Sequence, residues 1–346
     1  MATPDDADVT TPDETRRYHL ARRPEGRPDH DTFELRTVDV PEPGPGQALV
    51  ATQYLSVDPY MRDRMRAGES YSEPWEVGDP LRGGVVGEVV AANGAGVEPG
   101  QTVVGNLEWA DYSVADGDDL TPVDTGALPT STALSVLGMP GRTAYFGTRE
   151  VAEPKAGDTM VISGAAGAVG SVAGQLATLQ GADVIGVAGS DEKVEWLTEE
   201  LGFAGGINYD TEDVGARLDD LAPDGVDVYF DNVGGPITDA VFGRLAVDAR
   251  VAVCGQIALY NDEELPTGPR KLAKLIETRA TVEGFLVRDF APRFHEATEH
   301  LGELVAAGEL QYRETITEGL ENAPDAFLGL FDGENVGKQL VAVDEE

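Results

Sequence analysis

The chain has 346 residues, with 63 aspartates and glutamates against 25 lysines and arginines, a formal net charge of -38, one cysteine and four histidines. At roughly 150 residues per domain this length points to about two domains, and 41% hydrophobic residues supply a core, which excludes the low-hydrophobicity class of disordered chains. So acidic a field repels nucleic-acid phosphates and anionic lipid, and a lone cysteine with scattered histidines excludes an intramolecular disulfide and argues against bound zinc.

Residues 1–15 carry five acids, no bases and two prolines, and are expected to be a disordered acidic tail. From 31 to about 130, short extended runs are broken by turn residues: FELRTVDV, then PEPGPG, QALVATQYLSV, GVVGEVVAA and EPGQTVVGNL. This stretch predicts β structure without a long helix. After GMPGRTAYFG the texture changes. Between 158 and 288 the apolar runs TMVIS, ADVIGVAG, VDVYFDNVGG, RVAVCGQI and TVEGFLV alternate with helical stretches such as SVAGQLATLQ and DEKVEWLTEEL. Repeated βα units with near-continuous apolar strands predict an α/β fold, a parallel sheet covered by helices on both faces. Residues 290–308 predict an amphipathic helix, and 310–344 a strand, a short helix and a strand.

Gly164-Ala-Ala-Gly167-Ala-Val-Gly170 follows a predicted strand and opens a predicted helix. The spacing alone is a weak signal, and the context strengthens it. Glycines at such a turn let the backbone approach a pyrophosphate, which then rests on the amide groups and positive dipole end of the helix. About twenty residues further on, where an NAD site places an acid on the ribose 2′-hydroxyl, this chain has Gly189 and Ser190. Without that acid nothing repels a 2′-phosphate, and Lys193 brings a cation to the start of the next helix. The expected cofactor is NADPH/NADP.

Only five lysines, at 155, 193, 271, 274 and 338, accompany twenty arginines, and the acids are spread along the chain. That spread points to a solvated acidic surface suited to a cytoplasm held at multimolar salt. The start, Met1-Ala-Thr-Pro-Asp-Asp, lacks the marks of a signal peptide, and the apolar stretch 160–189 is interrupted by polar residues and glycines. A cytoplasmic protein with no membrane partner is expected. The basic cluster Arg16, Arg17, Arg22, Arg23 and Arg27 is expected to pair with the protein's own acids rather than with nucleic acid, and His295 and His300 to face solvent.

Taken together, YLSVDPYMR (54–62), LGMPGRTAYFG (137–147), GAAGAVGS (164–171), PDGVDVYFDNVGG (223–235), CGQIALYN (254–261) and ENAPDAFLGLFDGENVGK (321–338) resemble the zinc-free medium-chain dehydrogenases/reductases called leukotriene B4 12-hydroxydehydrogenases, prostaglandin reductases or curcumin reductases. The resemblance runs from about Arg22 to Val343. It implies a GroES-like β domain built from 16–135 and 300–346, and a Rossmann doubly wound domain over 136–299 with NADPH in the cleft between them. It also implies a homodimer joined through the edges of the Rossmann sheets.

By matching motif, the resemblance assigns pyrophosphate contacts to Gly167, Ala168, Val169 and Gly170, and 2′-phosphate contacts to Ser190, Lys193 and Tyr209. It places Asn232, Cys254, Gly255, Gln256, Ile257 and Tyr260 along the path from adenosine to nicotinamide. Phe285, Leu286, Val287, Asn335, Pro59 and Tyr60 complete the pocket, with Tyr60 and Met139 toward substrate. Zinc-containing relatives carry a cysteine and a GHE segment where this chain reads YLSVDPYMR and GGVVGEVV, so no metal is expected. Arg142 and Asp210 stand where the family more often has an aliphatic residue and a lysine, and the second change weakens positive charge near the 2′-phosphate.

Without a metal, reduction of a plain carbonyl is harder, whereas an α,β-unsaturated carbonyl accepts hydride at its β-carbon and spreads the charge onto oxygen. Tyr260, with the ribose 2′-hydroxyl, is the expected donor to that enolate oxygen, and solvent the source of the α-proton. Cys254 is expected to be a buried small residue rather than a nucleophile. The expected activity is reduction of enones or 2-alkenals; a quinone reductase and a non-catalytic NADPH-binding protein remain as alternatives.

Overall fold

A computed structural model describes residues 11–68, 72–264 and 266–343. Residues 1–10 of the expected acidic tail lie outside the described residues. Its last two residues do not: Glu14 and Thr15 open the first strand, and Thr15 is buried because its hydroxyl accepts the Tyr112 amide at 3.1 Å.

The strands are β1 (Glu14–Leu20), β2 (Phe33–Asp39), β3 (Gln47–Ser56), β4 (Arg82–Asn93), β5 (Thr102–Glu108), β6 (Tyr112–Asp116) and β7 (Thr121–Pro122) in the first part of the chain. They continue with β8 (Thr159–Ser163), β9 (Asp183–Ala188), β10 (Gly205–Asn208), β11 (Val226–Asp231), β12 (Leu245–Val253), β13 (Thr281–Gly284), β14 (Glu314–Glu318) and β15 (Lys338–Ala342). The helices are α1 (Met61–Arg64), α2 (Met139–Phe146), α3 (Gly170–Leu179), α4 (Asp191–Glu195), α5 (Val214–Leu221), α6 (Gly235–Phe242), α7 (Leu272–Thr278), α8 (Phe294–Ala307) and α9 (Ala323–Gly329).

β1 and β2 form an antiparallel pair, and a seven-stranded sheet runs β14-β15-β3-β4-β5-β7 with β6 on β3. Their core is aromatic: Tyr18, Phe33, Trp109 and Phe327 meet with ring centroids 6.1 to 6.5 Å apart. Edge-to-face contacts dominate this cluster, the arrangement that ring quadrupoles favour. The other sheet has six parallel strands in the order β10-β9-β8-β11-β12-β13. Side chains on a strand alternate between faces, so Met160 and Ile162 of β8 enter one core and Val161 the other. That is why the parallel strands read as continuous apolar runs.

The chain passes between the two units twice. On the first passage Ala133 and Leu134 pack with Val86 and Leu340, whereas Val136 and Leu137 begin the core of the parallel sheet. On the return, α8 crosses residue 300 unbroken, and Ala297, Leu301 and Leu310 all pack on that same core. The boundary expected at 300 therefore moves past Leu310, because the apolar stripe of α8 has nowhere else to be buried. His295 is exposed, but His300 is half-buried with its ring 5.7 Å from that of Tyr145, which corrects its expected solvent position.

Candidate functional site

Numbered from its first strand, the parallel sheet has the order 3-2-1-4-5-6, and the chain direction of its connections reverses between β8 and β11. Ligands of open α/β sheets bind beyond the carboxyl ends of the strands at such a point. Here the two strand ends are cross-stitched: the Asn232 side-chain amide donates to the Ser163 carbonyl at 2.8 Å, and the Ser163 hydroxyl donates to Asp231 at 3.0 Å. Asp231 is buried and also accepts hydrogen bonds from Tyr229, Thr238, Gln256 and the amides of Val233 and Gly234, at 2.7 to 3.1 Å. A buried carboxylate so surrounded by donors holds the β11 turn in one arrangement.

The glycine turn lies at the end of β8. Gly164 has φ +60, and a Cβ at Gly170 would come 2.4 Å from the Gly164 carbonyl oxygen, so the first turn of α3 packs on the strand only because that side chain is absent. The amide end of α3 thereby faces a cleft of about 1240 Å³ between the two units. The C-terminal segment crosses the turn, with the Gly337 amide donating to the Ala166 carbonyl at 2.8 Å.

The cleft brings together Gly167, Ala168, Val169 and Gly170 with Lys193, Tyr209 and Asn232. Pro59, Tyr60, Met139, Cys254, Gly255, Ile257, Tyr260, Phe285, Leu286, Val287 and Asn335 also line it. Ser190 and Gln256 make hydrogen bonds within the protein. The Ser190 hydroxyl caps α4 by accepting the Lys193 amide at 3.3 Å, and the Gln256 side chain is spent on Asp231 and the Gly255 carbonyl.

At one end of the cleft, the Lys193 ammonium donates to the Gly333 carbonyl, and burial lowers its pKa while Glu192 and Asp210 oppose that shift. Gly189 is needed there, because a Cβ would come 2.7 Å from the Tyr209 hydroxyl. Sequence reasoning missed Glu212, Asp213 and Arg244 at this end: Asp213 caps α5 through the Ala216 amide, and Arg244 holds Asp219 through two contacts of 2.7 Å. No motif announces them, since they reach the cleft from a loop and a helix end far apart in sequence.

At the opposite end, the Tyr260 hydroxyl accepts the Gln256 amide at 3.4 Å, and burial is the main cause that raises its pKa. Burial and the nearby Asp58 likewise push the Tyr60 phenol up. Both are therefore neutral phenols at neutral pH, able to donate a hydrogen bond. Asp58 and Lys338, also missed, form a buried pair on the cleft wall at 3.0 Å. The Lys338 ammonium gives its other protons to the Val57 and Gln339 carbonyls, and Ser56 donates to Asp58 at 2.5 Å. The Cys254 thiol is pushed up to about 12 by burial first and Asp231 second, so it is held as the unreactive thiol. Among the described residues no three His, Cys, Asp or Glu side chains are grouped to hold a metal ion.

Residues 16–123 match a family described as the N-terminal domain of oxidoreductase, and 168–303 one described as zinc-binding dehydrogenase. The chain is 52% identical over 329 residues to the NADP-dependent oxidoreductase YfmJ of Bacillus subtilis, covering 94% of this chain and 97% of that one. It is 43% identical over 333 residues to the NADPH-dependent curcumin reductase of Escherichia coli, covering 95% of this chain and 96% of that one. The crystal structure of CurA from Vibrio vulnificus in complex with NADPH superposes with a TM-score of 0.91 at 41% identity, covering 96% of this chain and 100% of that one.

Proposed function

Because this chain belongs to the zinc-independent, NADP-dependent medium-chain reductases that include the curcumin, 2-alkenal and prostaglandin reductases, we propose that it reduces the carbon–carbon double bond of α,β-unsaturated ketones and aldehydes. The observation that carries this reading is one cleft lined by both the glycine turn of α3 and the neutral phenols of Tyr60 and Tyr260. The residues fit the cofactor: the glycine turn packs α3 closely on the strand and brings its amide end to the cleft, and Lys193 and Tyr209 line the same cleft for a 2′-phosphate.

Bound NADPH supplies the hydride, which goes to the substrate β-carbon. The chain's own task is to receive the charge that moves to the carbonyl oxygen. Tyr260, kept protonated by burial, donates to that oxygen, and such a donor matters most as charge develops in a site shielded from water. Tyr60 and Met139 line the same cleft and orient the substrate, and solvent returns the proton to the α-carbon. The same reading carries a homodimer joined through the sheet edges and cytoplasmic service at high salt. Among the described residues no helix is long and apolar enough to cross a membrane.

The test follows NADPH and NADH absorbance at high salt with enones, short alkenals, quinones and saturated ketones. Enone-dependent loss of NADPH, with saturated ketones inert, is the expected result. Turnover of quinones alone moves the activity to quinone reduction, and tight NADPH binding without turnover leaves a binding protein. In Tyr260→Phe, kcat/KM for the best enone should fall about 10- to 100-fold; a wild-type rate removes Tyr260 from its role.

A further inference from the structure

The segment that carries Tyr60 also grips Tyr260. Just past α1, one terminal nitrogen of Arg66 donates to the carbonyl oxygens of both Tyr260 and Asp262, each at 2.7 Å. The partners lie 194 and 196 residues away in sequence and in the other unit of the fold. Arg66 is itself held, its carbonyl accepting Arg23 at 2.8 Å. Around the tyrosine the loop holds one turn, Ile257–Leu259, tied by the Ala258 amide to the Val233 carbonyl at 2.9 Å and the Leu259 amide to the Gln256 carbonyl at 2.8 Å, and then longer amide contacts of 3.3 Å from Tyr260 to Ile257 and 3.2 Å from Asp262 to Leu259. Among the described residues the Tyr260 phenol accepts the Gln256 amide at a long 3.4 Å. The long contacts after the turn and the short charge-assisted grip from the other unit make the position of the phenol sensitive to that grip.

From this arrangement we infer that Arg66 is a positioning residue for the reaction: it fixes the backbone of Tyr260 against the wall that Tyr60 provides, and so sets where the donor phenol meets substrate. This rests on Tyr260 being the hydrogen-bond donor. Displacement of such a group by about 1 Å is enough to cost up to about 100-fold in rate, and the loss here is expected near tenfold because the turn before Tyr260 persists.

Arg66→Ala and Arg66→Lys are compared with wild type, alone and combined with Tyr260→Phe. Arg66→Ala should lower kcat for the best enone about tenfold while the NADPH Kd, read by fluorescence, moves less than about twofold. Lysine, which also presents several donors, should restore most of the rate. In the Tyr260→Phe background the alanine change should add less than about twofold, since the group being positioned is gone. Hydrogen exchange over residues 256–262 reads the grip without turnover, and Arg66→Ala should quicken it at least about fivefold. Unchanged exchange, or a full tenfold loss repeated on Tyr260→Phe, overturns the inference. Quickened exchange together with a wild-type rate in Tyr260→Phe overturns the donor role of Tyr260 instead, so the two failures are told apart.

Discussion

Lys193 is one of few lysines in an arginine-rich chain, and its ammonium is turned into the cleft but spent on the Gly333 carbonyl. An entering 2′-phosphate would replace a neutral acceptor with a charged one, and hydrogen bonds to charged groups contribute about 1.5–3 kcal/mol. Lys193→Ala should therefore raise the KM for NADPH about 10- to 100-fold and leave that for NADH within about twofold, as steady-state rates with both cofactors will show. The pH dependence follows from the direction of the shift. Burial lowers the lysine pKa, so the cation is present at neutral pH and lost before an ordinary lysine would lose it. NADPH affinity should weaken as pH is raised, at a lower pH than an unshifted lysine allows, in fluorescence titrations. Lys193 was legible in the sequence from its place after the missing acid. Gly333, Asp58 and Arg66 were not, because each acts through a contact that spacing along the chain does not encode.

Two short elements from opposite ends of the chain meet at the cleft wall, where Asp58 follows β3 and Lys338 begins β15. Both side chains are nearly inaccessible, at 9% and 3% exposure, so removing either leaves its partner charged and buried. Breaking such a pair costs about 3–5 kcal/mol. Asp58→Asn and Lys338→Met should each lower Tm by several degrees in high-salt calorimetry, with the double variant Asp58→Asn/Lys338→Met less affected than the sum. An additive double variant would show that the pair is not coupled. The element boundaries follow the same logic of local versus distant causes. β8, β9, β11 and α3 were readable from apolar runs and the glycine turn, whereas β10 (Gly205–Asn208) is too short and glycine-rich to stand out from a loop. The amino-terminal arginines do pair with the protein's own acids, Arg16 with Asp111, Arg17 with Glu108 and Arg23 with Glu76, at 2.9 to 3.1 Å.

For the whole molecule, the outer strand β13 is exposed along its length, and Val282, Val247, Leu272 and Ile276 leave apolar surface around it. An open strand edge is a template for pairing, so two copies are expected to join there. Light scattering should give twice the chain mass, and Val282→Asp a monomer; a wild-type monomer removes the dimer reading. With a net charge of -38, self-repulsion is unscreened at low ionic strength, where the Debye length grows from about 3 Å at 1 M to about 30 Å at 0.01 M. Circular dichroism should therefore show loss of structure on dialysis to dilute buffer, and an unchanged spectrum contradicts salt dependence. By itself the amino-acid order determined the parallel sheet, the glycine turn and the cofactor class, because strand periodicity, turn chemistry and a missing acid are local properties of a few adjacent residues. Tertiary structure alone decided that α8 stays with the parallel sheet, that Gln256 is tied to Asp231, and that Arg66 reaches Tyr260 while Asp58 and Lys338 pair on the cleft wall. Those outcomes depend on which distant groups are brought within hydrogen-bond reach in a buried place, where an unpartnered charge or carbonyl is costly and a partnered one fixes the geometry.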